Sequence, residues 1–174
     1  LIARLINKKV ITFVGTMGRY NNPSVLVRAA KIVNSRVSNP DDYIFVIAGT
    51  GMTYEGVKSE ALGINNIILP GWLNASQMAA VLRLSSIGII PCTETRDVFS
   101  NKAFTYLSAG LPLISSVEGE LKGLIQSKQL GYNFSPENEE ELATLIINLA
   151  GNQPLLSIMA SNAKQLFDEE FDAN

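Results

Sequence analysis

The chain has 174 residues, of which 47% are hydrophobic and 17% charged, and its formal net charge is −2. This length supports one ordinary domain with its own core, and the composition excludes an intrinsically disordered chain. A net charge this close to zero gives no electrostatic basis for nucleic-acid binding, and a chain without histidine lacks the commonest metal ligand and general base.

Short apolar runs rich in Ile and Val alternate with helical patterns along the chain. The predicted strands span residues 10–14, 43–48, 67–69, 87–90, 113–115 and 132–134. The predicted helices span residues 23–37, 54–62, 75–83, 101–109, 119–126, 137–149 and 154–167. Strands that are apolar throughout are typical of a parallel sheet covered on both faces. We therefore predict an α/β fold, a doubly wound parallel sheet with strand order 3-2-1-4-5-6, in a single domain over residues 1–174.

Ligands of such sheets bind at the carboxyl edge, near strands 1 and 4, so the turns after the strands are the candidate site. After strand 1, Gly15 lets the backbone approach a ligand, and Arg19 either pairs with a phosphate or is simply solvated. After strand 2, Gly49 and Gly51 lack the full glycine fingerprint of dinucleotide-binding enzymes. A dinucleotide-binding module is therefore the least supported alternative.

The stretch 99–116 predicts a polar turn, an amphipathic helix, a break and a strand. Ser100 is a good N-cap, because its hydroxyl can accept from an amide of the first helical turn. Lys102 follows, beside amides that carry a partial positive charge. The start of this helix is therefore a candidate phosphate site.

This stretch, FSNKAFTYLSAGLPLISS, with IGIIP before it and GEL after it, resembles the donor-side signature of retaining GT-B glycosyltransferases. The resemblance is closest to group 1, also called family 4. ITFVG, IFVIAGTGM and IILPGWL look like the family's first three strands, and NFSPENEEELATLIINLAGN looks like its closing helix. The resemblance thus covers nearly the whole chain.

The resemblance implies a nucleotide-diphosphate sugar as donor, retention at the anomeric carbon, no cofactor and no obligatory metal. It also implies a second, N-terminal domain that binds the acceptor and that this sequence does not contain. We expect the chain alone to bind donor without transferring sugar. For the full protein we expect polysaccharide or glycolipid assembly in a bacterial cytoplasm, with peripheral association at the inner face of the membrane.

Two pairs of family residues can be carried over position by position. The family's paired carboxylates, one near the transferred sugar and one on the ribose hydroxyls, fall on Asp97 and Thr105. The family's arginine and lysine that neutralise the diphosphate fall on Thr16 and Asn21. We therefore expect Asp97 to serve in catalysis, with Arg19 and Lys102 taking over the task of the missing cations.

The remaining expected donor contacts surround the same edge. In the family, the backbone after strand 3 reads the base. We interpret Trp72 there as a buried packing residue rather than a base-stacking one. Glu120 either caps its helix or meets the sugar or phosphate. The expected binding residues are Gly15, Thr16, Gly49, Gly51, Gly71, Trp72, Leu73, Phe99, Ser100, Asn101, Thr105 and Glu120.

Two further alternatives stay open at the level of sequence. One is a degenerate donor domain that binds a nucleotide or a protein partner without catalysis, which the polar but uncharged Thr16, Asn21 and Thr105 favour. The other is half of a sugar-nucleotide epimerase, which shares the architecture. The absence of histidine counts mildly against the epimerase.

Overall fold

Six parallel strands form one sheet in the order β3-β2-β1-β4-β5-β6. The computed structural model describes residues 1–95 and 100–171. The strands are β1 (Lys9–Val14), β2 (Tyr43–Ala48), β3 (Ile67–Gly71), β4 (Ile87–Ile90), β5 (Leu113–Ser115) and β6 (Gly131–Asn133). The predicted α/β class and strand order are confirmed.

Helices cover both faces of the sheet. They are α1 (Ser24–Arg36), α2 (Tyr54–Glu60), α3 (Ala75–Leu84), α4 (Asn101–Ser108), α5 (Glu120–Ser127), α6 (Glu139–Ala150) and α7 (Gln153–Leu166). Alternate residues of β1 enter two cores, Ile11 and Phe13 on the α1–α6 side and Val10 and Val14 on the α3–α4–α5 side. This two-sided burial explains why the strand sequences are mostly apolar on both faces.

Among the described residues, no single helix has both the length and the apolar character needed to cross a membrane. One pair, α6 with the segment from Gln153 to Phe171, has both when taken together, but it is bent by 98°.

Local capping sets the helix ends that differ from the sequence prediction. Helix α6 begins at Glu139 rather than Glu137, because Glu137 has a φ of 58° and the Asn138 side chain accepts from the Glu141 amide at 3.0 Å. Helix α7 begins at Gln153, one residue early, since the Asn152 side chain accepts from the Leu155 amide at 3.1 Å. In both helices an asparagine N-cap therefore sets the first residue.

The sheet reverses its winding between β1 and β4. These strands are in register only at Ile11–Ile87 and Thr12–Gly88, whereas β1 and β2 pair along six residues. Towards their carboxyl ends β1 and β4 therefore part. A crevice at this point is the ligand position that the fold prescribes.

Candidate functional site

A cleft of about 350 Å³ opens at the carboxyl edge, where β1 and β4 part. The ends of β1 and β2 form its floor, α4 forms one wall, and the start of the β3–α3 connection with α3 forms the other. Its lining residues are Val14, Gly15, Thr16, Asn21, Ala48, Gly49, Trp72, Leu73, Met78, Asn101, Lys102 and Thr105. The volume is within the usual range of small-molecule sites.

Main-chain hydrogen bonds lock the floor of the cleft. The Gly15 amide donates to the Ala48 carbonyl at 3.0 Å, and the Gly49 amide donates to the Gly71 carbonyl at 2.8 Å. A methyl group on Gly49 would lie 1.9 Å from the Gly15 carbonyl oxygen, and Gly49 has a φ of 134°. Only glycine at this position lets the two loops pass so closely.

Helix α4 begins as the sequence predicted. The Ser100 hydroxyl accepts from the Lys102 amide at 3.3 Å, which confirms Ser100 as the N-cap. The Lys102 side chain then crosses Gly15, so that a methyl group on Gly15 would lie 2.7 Å from its Cε. Glycine at position 15 thereby makes room for the lysine.

Lys102 is a partly desolvated cation. Its ammonium lies 5.4 Å from the centre of the Phe13 ring, and burial lowers its pKa below the usual lysine value, with a smaller opposing effect from Cys92. Within residues 1–95 and 100–171, no carboxylate forms a salt bridge with it. An unpaired ammonium in a cleft is suited to hold an anion.

The lowered pKa predicts a pH-dependent gain in stability when this charge is removed. A group whose folded pKa is lowered penalises the folded state wherever it is protonated, and the penalty disappears as pH rises from the folded pKa to the unfolded value of about 10.4. Lys102→Met should therefore be more stable than wild type at neutral pH, and the difference should shrink as pH approaches the unfolded value. Urea unfolding of both proteins across this range checks it. A difference that stays constant with pH would contradict it.

The far side of the cleft corrects one sequence interpretation. Trp72 is 70% exposed and lines the cleft, so the expectation of a buried packing residue is wrong. Gly71, with a φ of 73°, turns the chain at the end of β3, which is an edge strand of the sheet. Leu73 next to Trp72 is buried and takes the packing role instead.

Several of the expected contacts line the cleft and others do not. Gly15, Thr16 and Gly49 are on the floor, Trp72 and Leu73 on the far side, and Asn101, Lys102 and Thr105 on α4. Gly51, Gly71, Ser100 and Glu120 are outside the lining, and Glu120 is the exposed first residue of α5. Asp97 and Phe99 lie outside the described residues. The functional roles assigned to all of them stay predictions.

Arg19 does not line the cleft with Lys102. It is exposed, its guanidinium lies 5.5 Å from the centre of the Tyr20 ring, and its carbonyl accepts from the Thr93 hydroxyl at 2.9 Å. The main chain at Arg19 thus contacts the loop after β4, while its side chain faces solvent. Shared work by Arg19 and Lys102 on one diphosphate stays a prediction.

Four lining residues were not among the expected contacts. Val14 and Ala48 are strand-end residues whose apolar character indicates only burial. Asn21 stands where the family resemblance places a lysine, and that correspondence was the signal for it. Met78 lies a turn into α3, and nothing in its sequence context indicates a ligand. Among the described residues, no group of three His, Cys, Asp or Glu side chains could hold a metal ion.

Comparison with known proteins gives one family and many similar structures. The model of the family described as "Glycosyl transferases group 1" matches residues 8–152. Among curated proteins, no sequence matches this chain.

Three solved structures illustrate the likeness in fold. HepE of Anabaena, solved with UDP and glucose, has a TM-score of 0.80 at 17% identity, covering 97% of this chain and 45% of its own. TarM of S. aureus, solved as a mutant with UDP and two other ligands, has a TM-score of 0.76 at 16% identity, and the match covers 94% of this chain and 33% of TarM. The C-terminal domain of LpcC, a group 1 protein of Francisella tularensis, has a TM-score of 0.77 at 17% identity, and the match covers 95% of this chain and 87% of that domain. The chain thus spans less than half of HepE and TarM, and most of an isolated C-terminal domain.

Proposed function

Because the chain belongs to the group 1 glycosyltransferases, we propose that it is the donor-binding domain of an enzyme that moves a sugar from a nucleotide-diphosphate sugar to an acceptor. The observation that carries the proposal is Lys102, a partly desolvated ammonium at the start of α4 that faces the cleft and has no salt bridge to a carboxylate within residues 1–95 and 100–171. A leaving diphosphate needs its growing negative charge neutralised in the transition state. A cation at the N-terminus of a helix, where the helix dipole is positive, meets that need.

The comparisons support the nucleotide part of this proposal. HepE was solved with UDP and glucose, and GtfA, a pneumococcal O-GlcNAc transferase, with UDP and GlcNAc. Both share this fold, with TM-scores of 0.80 and 0.73. A nucleoside diphosphate is therefore the ligand to test first.

The finer parts of the proposal rest on the resemblance. We propose retention at the anomeric carbon, a separate acceptor-binding domain, and a polysaccharide or glycolipid acceptor at the inner face of a bacterial membrane. WaaG, with a TM-score of 0.78, is described as involved in lipopolysaccharide biosynthesis, which is consistent with such an acceptor. We also propose that the reaction uses no cofactor beyond the donor.

A degenerate donor domain is the second candidate. The cleft is lined by Thr16, Asn21 and Thr105, three uncharged residues at positions where the resemblance places charged ones. Among the residues that the structure describes, Lys102 is the one charged side chain of the lining. A module that binds a nucleotide weakly and transfers nothing would have such a cleft.

Titration calorimetry with UDP, GDP and ADP and a Thr105→Glu variant separates the two candidates. We expect one nucleoside diphosphate to bind saturably. Thr105→Glu should bind it about tenfold or more tightly, because a carboxylate on the ribose hydroxyls contributes about 1.5–3 kcal/mol. Ser108→Glu adds the same charge one turn along the exposed side of α4 and should change nothing.

Each outcome of this titration decides between the candidates. Tight, saturable binding to the folded wild type supports a working donor site and identifies the base, whereas weak binding favours the degenerate domain. If no nucleoside diphosphate binds the wild type, the donor-site proposal fails for this chain and the degenerate domain is favoured. Equal affinities of Thr105→Glu and Ser108→Glu would remove Thr105 from the ribose contact.

A further inference from the structure

Tyr106 joins α4 to two strands of the sheet. Its side chain is fully buried, and its hydroxyl accepts from the Val14 amide at 3.0 Å and donates to the Ile89 carbonyl at 3.1 Å, with the Thr12 carbonyl at 3.3 Å as the alternative acceptor. Burial raises the pKa of Tyr106 well above its usual range, so the hydroxyl stays neutral and can both donate and accept. One side chain thus serves main-chain groups of β1 and β4 together.

The hydroxyl lies where the ladder between β1 and β4 stops. The register ends at Thr12 and Gly88, and the main-chain groups beyond it would otherwise be buried without partners. The Tyr106 ring fits because residue 88 is glycine, since a methyl group there would lie 2.6 Å from the ring. Tyr106 therefore lies between the ends of β1 and β4, and its hydroxyl makes the hydrogen bonds that the strands no longer make to each other.

The same hydroxyl fixes the geometry around Lys102. Tyr106 and Lys102 are one turn apart on α4 and share its inner side. Tyr106 bonds to Val14, the last residue of β1, and Lys102 crosses the next residue, Gly15. The position of the ammonium over the floor of the cleft is thus tied to a bond one residue away.

We propose that Tyr106 is a positioning residue of the donor site: its hydroxyl fastens α4 to the end of β1 and thereby holds the Lys102 ammonium over Gly15. The proposal rests on the proposed function, because it assigns Lys102 to the donor phosphates. Without the hydroxyl, the buried Val14 amide has lost its hydrogen-bond acceptor. The amide can regain a partner only if α4 moves or if water enters between α4 and β1. Either change alters the surroundings of Lys102.

The test compares Tyr106→Phe with Tyr43→Phe, which makes the same chemical change at the start of β2, away from the cleft. NMR titration of the Lys102 ammonium in the unliganded domain is the first readout, and UDP affinity is the second. In Tyr106→Phe the Lys102 pKa should rise towards the usual lysine value, and the Kd for UDP should rise about 5- to 20-fold, less than for complete loss of the charge contact, because the ammonium is displaced and not removed. Tyr43→Phe should change neither.

A double-mutant comparison separates positioning from general loosening. In a Lys102→Met background, Tyr106→Phe should weaken UDP binding no further, because the residue it positions is gone. An unchanged Lys102 pKa in Tyr106→Phe overturns the proposal, even if stability or affinity falls, and so does a shifted pKa with unchanged affinity. If the wild type binds no nucleotide, the proposed function fails, and the Lys102 titration alone then decides whether Tyr106 positions it. Tyr106→Phe removes a single oxygen, and circular dichroism is the check that the variant is folded.

Discussion

Gly49→Ala is expected to destabilise the fold by about 3–5 kcal/mol, adding the cost of a strained backbone to that of a steric clash. The added methyl group would lie 1.9 Å from the Gly15 carbonyl oxygen, a main-chain atom held in place by the hydrogen bonds of the cleft floor. Residue 49 also has a φ of 134°, which an alanine rarely adopts. The melting temperature should fall by about 6–20 °C, at about 2–4 °C for each kcal/mol in a chain of this size. Calorimetric melting measures it.

Gly56→Ala is the matched control for this substitution. Gly56 lies within α2, and a methyl group there meets nothing within 4 Å. Because alanine favours a helix over glycine, Gly56→Ala should stabilise the domain by about 0.5–1 kcal/mol. Equal melting temperatures for the two variants would contradict the close crossing of the loops after β1 and β2.

Lys102→Met should weaken binding of the preferred nucleoside diphosphate about 10- to 150-fold. Methionine keeps the length of the side chain and removes its charge, and a hydrogen bond to a charged group contributes about 1.5–3 kcal/mol. The loss should be specific to the phosphates, so affinity for the parent nucleoside should not change. Titration calorimetry of wild type and variant with both ligands measures the two effects.

The control for charge in general is Lys58→Met. Lys58 is exposed on α2 and does not line the cleft, so its loss should leave both affinities unchanged. Raised salt should weaken diphosphate binding to the wild type more than to Lys102→Met. If Lys102→Met bound the nucleoside and its diphosphate each as tightly as wild type does, Lys102 would have no part in holding phosphate.

The fold could be predicted because its signals are local and strong. β2, β4 and β5 have the predicted bounds, since each is a run of buried residues between polar turns. Errors arose at helix ends, where a single side-chain hydrogen bond decides. Asn138 moves the start of α6 two residues beyond the predicted start at residue 137.

The site was predicted less completely, because it depends on which side chains of each helix and loop point into the cleft. Spacing placed Lys102 and Ser100 at the start of α4. Trp72 was misjudged because a lone aromatic residue after a strand is more often buried, although the predicted strand order already placed strand 3 at the edge of the sheet. Tyr106 was missed because its partners, the main chains of β1 and β4, are up to 94 residues away in sequence.

The main-chain hydrogen bonds of the cleft floor fix its shape independently of the side chains that would contact a ligand. The loops after β1 and β2 are held by amides and carbonyls of Gly15, Ala48, Gly49 and Gly71, so the path of the floor depends little on neighbouring side chains such as Thr16. A ligand meets a surface that is already ordered and loses little free energy to fixing it. A substitution at position 16 can therefore change the preferred ligand without changing the main-chain path of the cleft floor. Gly15 and Gly49 fix the path of the floor, and the exposed side chain at position 16 can change without altering that path.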